Sequence, residues 1–262
     1  MAAFTEEEIN GFHMNEWYDL DGEVAIVTGG GTGLGLAITR CLVSAGAKVA
    51  VVSRKYEKAL EEFGDNVRFY EHDISNTEYA PELVEKIVKD FGKVTILVNN
   101  AGNHCKKFIW DMTVDDYKSV LDVQLVGSFA MTKAVVPYLK EQKHGRIIFQ
   151  ASRTSYIGQP QVCGYATAKA GFLGMIHVLT AELAEFGITV NAVAPGWIDT
   201  PMFHKAVDTD PQRLAKIMGR IPAKTVGDPM DIGMACAFLC SKAARYITGS
   251  CIPVDGGALI GF

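Results

Sequence analysis

The chain has 262 residues, 48% of them hydrophobic and 21% charged, an ordinary globular balance with enough apolar material for one large core. Its net charge of −5, with no basic run, argues against nucleic acid and anionic membrane surfaces as partners, and no apolar run approaches the ~20 residues of a membrane span. Six cysteines without a C-x-x-C pair and six isolated histidines predict free thiols in a reducing cytoplasm and no metal site.

Residues 1–21 are expected to form an N-terminal extension. Its start, MAAFTEEEIN, is acidic and polar where a leader would be basic and then apolar. From there the chain, residues 22–262, alternates between two periods. EVAIVT (23–28) is a β-branched run that ends in glycines and reads as a buried strand; GLAITRCLVSAG (35–46) has helical spacing and stops at Gly46. KVAVVSR (48–54) and NVRFYEHD (66–73) read as further strands, PELVEKIVKDFG (81–92) as a helix and VTILVNN (94–100) as a fourth strand. A helical stretch over about 114–140 precedes the strand GRIIFQAS (145–152), and another over about 162–186 precedes ITVNAVAPG (188–196). A helix near 229–241 and the short strand CIPVDGG (251–257) close the chain. Strands that lack polar alternation, separated by helices, predict an α/β fold: one domain with a doubly wound parallel sheet, helices on both faces, and ligands at the carboxyl ends of the strands.

The first strand runs into TGGGTGLG, Thr28 to Gly35, and a helix follows at once. Glycines at 29, 33 and 35 suit a tight turn, close approach of backbone N–H groups to a pyrophosphate, and close helix–strand packing. In this context the loop reads as a dinucleotide site. A free ribose 2′-hydroxyl would call for an acid at the end of the second strand, and a 2′-phosphate for a guanidinium. The chain has Ser53 and Arg54 there, so NADP is favoured over NAD.

By its motifs the chain resembles the short-chain dehydrogenase/reductase family. TGGGTGLG is similar to that family's cofactor loop, NNAG (Asn99–Gly102) to its sheet-stabilising motif, PGWIDTPM (Pro195–Met202) to the loop beside the nicotinamide, and PVDGG to its closing strand. Ser152 stands thirteen residues before Tyr165, and Tyr165-x-x-x-Lys169 matches the catalytic pair. The resemblance implies a Rossmann-type oxidoreductase moving hydride between NADP(H) and a secondary alcohol or ketone. Tyr165 would transfer the proton, Ser152 would hold the substrate oxygen, and Lys169 would bind the nicotinamide ribose and lower the phenol's pKa. It also implies that Gly29, Gly31, Thr32, Gly33, Leu34 and Gly35 bind cofactor, with Ser53, Arg54, Asp73 and Ile74 on one side. Asn100, Ala101, Gly102, Pro195, Gly196, Ile198 and Thr200 complete that set, together with Tyr165 and Lys169. One departure is Gln124, where the family usually has an Asn that holds a water linking the lysine to solvent. Gln124 either holds that water too, or marks a slower relay, or belongs to a cofactor-bound binding or regulatory protein with weak turnover.

The segments that would line the substrate space supply Asn103, His104, Lys106, Lys107, Arg153, Trp197, Met202 and His204. Several are basic or strong donors, which suits a polyol, sugar or sugar acid, and Arg153 beside Ser152 suits a carboxylate. A β-ketoacyl thioester and a steroid-type carbonyl are the other substrate readings, with a helical lid over about 200–220 deciding among them. The tail ALIGF (258–262) ends in apolar residues that a monomer would leave at its surface, and the resemblance implies that it packs across a subunit interface of a homo-oligomer, a tetramer or a dimer.

Overall fold

The computed structural model describes residue 11 and residues 13–261; the remainder of the acidic start and Phe262 of the tail lie outside them, as does the expectation about a leader. The β-branched runs become seven strands: β1 (Val24–Thr28), β2 (Lys48–Ser53), β3 (Val67–Glu71), β4 (Ile96–Asn99), β5 (Gly145–Gln150), β6 (Ile188–Pro195) and β7 (Cys251–Val254). All pair in parallel in the order β3-β2-β1-β4-β5-β6-β7. The chain winds outward from β1 to β3 and then crosses back to β4. Connections leaving β1 and β4 therefore depart to opposite sides, and a crevice opens at their carboxyl ends.

The alternation of side chains along each strand sorts the core into two layers. Ala25 and Val27 of β1 pack with Ile38 and Leu42 of α2 (Gly33–Ser44). Ile26 faces the other way, into a layer that holds Val84 and Ile87 of α3 (Ala80–Phe91) and Phe172 of α6 (Cys163–Leu183). The closing helix α9 (Pro229–Cys240) lies so close to α2 that a Cβ on Gly233 would sit 2.6 Å from the Ala37 carbonyl oxygen. Near the N-terminus, α1 (Met14–Tyr18) leads to Leu20, which is buried and donates its N–H to the Ala45 carbonyl at 2.7 Å.

The stretch expected over about 114–140 is one continuous run of 29 residues: α4 (Val114–Leu121), a π turn at Asp122–Val126, and α5 (Gly127–Gln142). By length and composition it could cross a membrane, which corrects the expectation that no run approached such a span. It is instead a helix of the fold, with Val120, Met131, Val135 and Leu139 all buried. Two short helices, α7 (Pro201–Val207) and α8 (Pro211–Arg220), form the expected lid, and Val207, Ile217 and Ile221 close on Ala258 of the tail. Ala258 of the tail thus packs against the lid, whereas Ile260 is left exposed.

Candidate active site

The glycine-rich loop turns because Gly29 and Gly33 take left-handed backbone, at φ 67° and 52°. A Cβ on Gly35 would lie 2.0 Å from the Gly29 carbonyl oxygen, whereas nothing stands within 4 Å of one on Gly33. Thr32 caps α2 without a side-chain hydrogen bond, so the first-turn N–H groups face the crevice as an anion site. The Asn99–Gly102 turn holds this loop in place. The N–H groups of Asn100 and Ala101 both donate to the Thr28 hydroxyl at 3.0 Å, and Asn100 Nδ2 donates to the carbonyls of Thr28 and Gly29.

Below the loop lies a cleft of about 750 Å³. Gly29, Thr32, Gly33, Leu34 and Gly35 form one end of it, with Ser53, Arg54, Asp73 and Ile74 beside them. Asn100, Ala101 and Gly102 form its floor, and Pro195, Gly196, Ile198 and Thr200 its far wall. Gly31 is not part of that wall; it turns back on Glu57, whose Cγ would lie 3.0 Å from a Cβ there. The Ser53 hydroxyl is spent on the Lys55 carbonyl at 2.8 Å, while Arg54 and Lys55 border the cleft. A glycine cradle, an uncapped helix start and two cations at the end of β2 fit a dinucleotide with a 2′-phosphate.

At the other end, β5 delivers Ser152 and α6 presents Tyr165 and Lys169, one helical turn apart. Ser152 hydrogen-bonds the Tyr165 phenol and also accepts from the Thr154 N–H at 3.1 Å. Burial pushes the phenol up, and the Ser152 hydrogen bond and the Arg153 charge pull against it. Lys169 is buried, which pushes it down to about 7, and its Nζ donates to the Gln150 carbonyl at 2.5 Å. In the protein by itself burial is the largest influence on both groups. The Arg153 charge favours the phenolate, and Lys169 Nζ also stands 5.5 Å from the centroid of the Tyr165 ring.

Gln124 sits in the π turn and is fully buried; its Nε2 donates to the Asn103 carbonyl at 2.6 Å, and its Oε1 has no partner among the described residues. A π turn adds a residue to the helical circuit and is frequent at functional sites.

His104, Lys106, Arg153, Trp197 and Met202 all border the cleft. Lys107 does not: it is paired with Asp116 at 2.7 Å, on the capping box that starts α4. His204 is likewise turned away, bridging Asp199 at 2.6 Å and Asp208 at 2.9 Å. Arg153 stacks on Trp197 at 3.8 Å and donates to Gln159 Oε1 at 2.5 Å, and among the described residues no carboxylate comes within ion-pair distance of it. Burial and the charge of Arg220 push it down to about 10. Sequence reading missed Arg213, which reaches the cleft from the lid, and His72, whose buried Nε2 has no partner among the described residues. Nothing in the period of HKAVDTDPQRLAKIMGR marks Arg213 as inward; His72 lies at the end of β3, a position that could have signalled it. Asp73 is the only carboxylate bordering the cleft among the described residues, against Arg54, Lys55, Lys106, Arg153, Lys169 and Arg213.

A family model described as enoyl-(acyl carrier protein) reductase matches residues 29–258, nearly the whole of the sheet and its helices. The chain belongs to the short-chain dehydrogenase/reductase family. It is thus an NAD(P)-dependent oxidoreductase by family. This dehydrogenase is 38% identical to 3-oxoacyl-(acyl-carrier-protein) reductase FabG of Vibrio cholerae, over 91% of its own length and 98% of the relative's. It is 35% identical to 2-dehydro-3-deoxy-D-gluconate 5-dehydrogenase of Pseudoalteromonas atlantica, over 93% and 98%. A crystal structure of gluconate 5-dehydrogenase from Burkholderia cenocepacia J2315, in complex with NADP and tartrate, matches it with a TM-score of 0.90 at 28% identity, covering 95% of this chain and 100% of that one.

Proposed function

We propose that the protein is an NADP(H)-dependent enzyme that interconverts a secondary alcohol and a ketone on a hydroxyl-rich, acidic substrate such as a sugar acid. The observation that carries this reading is the placement of Arg153, a half-buried guanidinium with no carboxylate partner among the described residues, next to the Ser152–Tyr165 pair. The cleft lining is mostly basic, with Asp73 its only acid among the described residues, which supports an anionic substrate over a steroid-type carbonyl. NADP is supported by Arg54 and Lys55 at the end of β2 and by the NADP complex of the Burkholderia cenocepacia enzyme.

When bound, the nicotinamide would supply or accept the hydride. In reduction Tyr165 gives its hydroxyl proton to the substrate oxygen, and in oxidation it takes that proton back. Ser152 holds the same oxygen by hydrogen bonding. Lys169 stands between Gln150 and the Tyr165 ring, where it would hold the nicotinamide ribose hydroxyls. Arg153 anchors the substrate's carboxylate. We read the protein as a cytoplasmic homo-oligomer, a reading supported by six unpaired cysteines and by exposed Val126, Phe129 and Val178 on two long helices.

A second reading, reduction of β-ketoacyl thioesters, is supported by the Vibrio cholerae relative. Arg153→Ala separates the two. Losing a hydrogen bond to a charged group should raise KM for acidic substrates on the order of ten- to a hundredfold, while neutral ketones change far less. An equal effect on acidic and neutral substrates would contradict the acidic-substrate reading.

A further inference from the structure

We propose that His104 determines specificity by reading a hydroxyl on the carbon next to the reacting one, through ring nitrogens presented beside the Tyr165 phenol. This rests on the reading of Tyr165 as the group that moves the proton. The His104 ring stacks on the Tyr165 ring, with centroids 4.0 Å apart and planes inclined by 24°. The stack places the imidazole in the same part of the cleft as the Tyr165 phenol, so a substrate whose reacting oxygen meets Tyr165 has its nearest atoms close to His104.

The loop that carries His104 is pinned on both sides of Asn103. The Asn103 carbonyl accepts from Gln124 Nε2 at 2.6 Å, and its Nδ2 donates to the Ser119 carbonyl at 3.0 Å. Stacking and this anchorage hold the imidazole in place. Yet neither ring nitrogen of His104 has a hydrogen-bond partner among the described residues, and the residue borders the open cleft. A positioned ring with both polar atoms unspent is built to meet a ligand.

The charge state narrows what that ligand offers. Protein atoms around the ring, then Lys106 and Lys169, push His104 down to about 4, so at neutral pH the ring is uncharged. One nitrogen then carries a hydrogen and the other a lone pair. A carboxylate satisfies only the first of these. A hydroxyl can donate or accept, whichever nitrogen faces it, and a methylene can do neither. The carboxylate anchor at Arg153 and the hydroxyl reader at His104 therefore recognise different parts of one substrate.

The test uses NADPH-dependent reduction of two neutral ketones, acetoin and butanone, which differ by the adjacent hydroxyl and carry no carboxylate. Wild-type protein should prefer acetoin in kcat/KM, and His104→Phe, which keeps the stacked ring, should lower that preference on the order of tenfold or more. NADPH affinity, followed by fluorescence, should be unchanged, and His104→Gln should recover part of the preference. A wild type without the preference, turnover of neither ketone included, overturns the proposal. A preference that survives in His104→Phe overturns it too, and so does an equal loss on both ketones, which would make the ring only a brace for Tyr165. The hydride-transfer reading fails separately, if Tyr165→Phe turns over like the wild type.

Discussion

Lys169 shows how much the site costs the fold. An ammonium ordinarily titrates at 10.5, and burial brings this one to about 7. Between those values the unfolded chain binds the proton that the folded chain has released, so this group makes stability rise with pH from about 7 to about 10.5. Below about 7 the folded protein carries the charge in its interior and the penalty is complete. Lys169→Met removes the titrating group, so the stability of the variant relative to the parent should improve from pH 10 to pH 6, on the order of 1 kcal/mol or more. Denaturant unfolding without cofactor at the two pH values measures it, and a difference independent of pH would contradict the burial argument. This environment was not legible in the sequence. Tyr165-Ala-Thr-Ala-Lys169 placed both groups on one helix face, but that Lys169 turns to the Gln150 carbonyl depends on where β5 ends. The pairing of Lys107 with Asp116 and the His204 bridge are likewise matters of loop geometry that no spacing encodes.

At the scale of elements, the period of the sequence carried nearly everything. Strands without polar alternation are buried on both faces, as β1, β4, β5 and β6 are throughout, while the edge strands β3 and β7 fell where their runs stood but are only partly buried. The π turn at Asp122–Val126 escaped, because one added residue leaves the apolar pattern of a 29-residue helical run almost unchanged. The glycine loop can be tested as an element with two separable parts. Gly35→Ala would drive a Cβ into the Gly29 carbonyl and to 2.6 Å from Asn100 Nδ2, so it should destabilise the protein by about 1–3 kcal/mol and weaken NADPH binding. Gly33→Ala meets no atom and carries only the strain of its positive φ, about 1 kcal/mol, while its methyl group faces the phosphate space. Thermal unfolding and NADPH titration of both variants distinguish them. Equal destabilisation by the two would contradict the assignment of Gly35 to packing and Gly33 to the ligand.

For the molecule as a whole, strand order decides where chemistry can happen. The reversal between β1 and β4 opens the crevice, the glycine loop occupies its start, and β5 with α6 brings Ser152, Tyr165 and Lys169 to the same edge. The lid of α7 and α8 adds Arg213, so the substrate end is basic from both sides. The sequence order of motifs was enough to place the cleft. It was not enough to show that Arg153 has Trp197 and Gln159 for neighbours and, among the described residues, no acid within ion-pair distance, because these converge from three separate segments. The most direct test is the absorbance change of reduced nicotinamide when purified protein meets NADP⁺ or NAD⁺ and a panel of sugar acids, polyols and simple secondary alcohols, with Tyr165→Phe alongside. Turnover of a sugar acid with NADP⁺, reduced about 10²–10⁴-fold in Tyr165→Phe, is the predicted result. Undiminished turnover in Tyr165→Phe, or bound NADP⁺ with no turnover of any panel member, would contradict it.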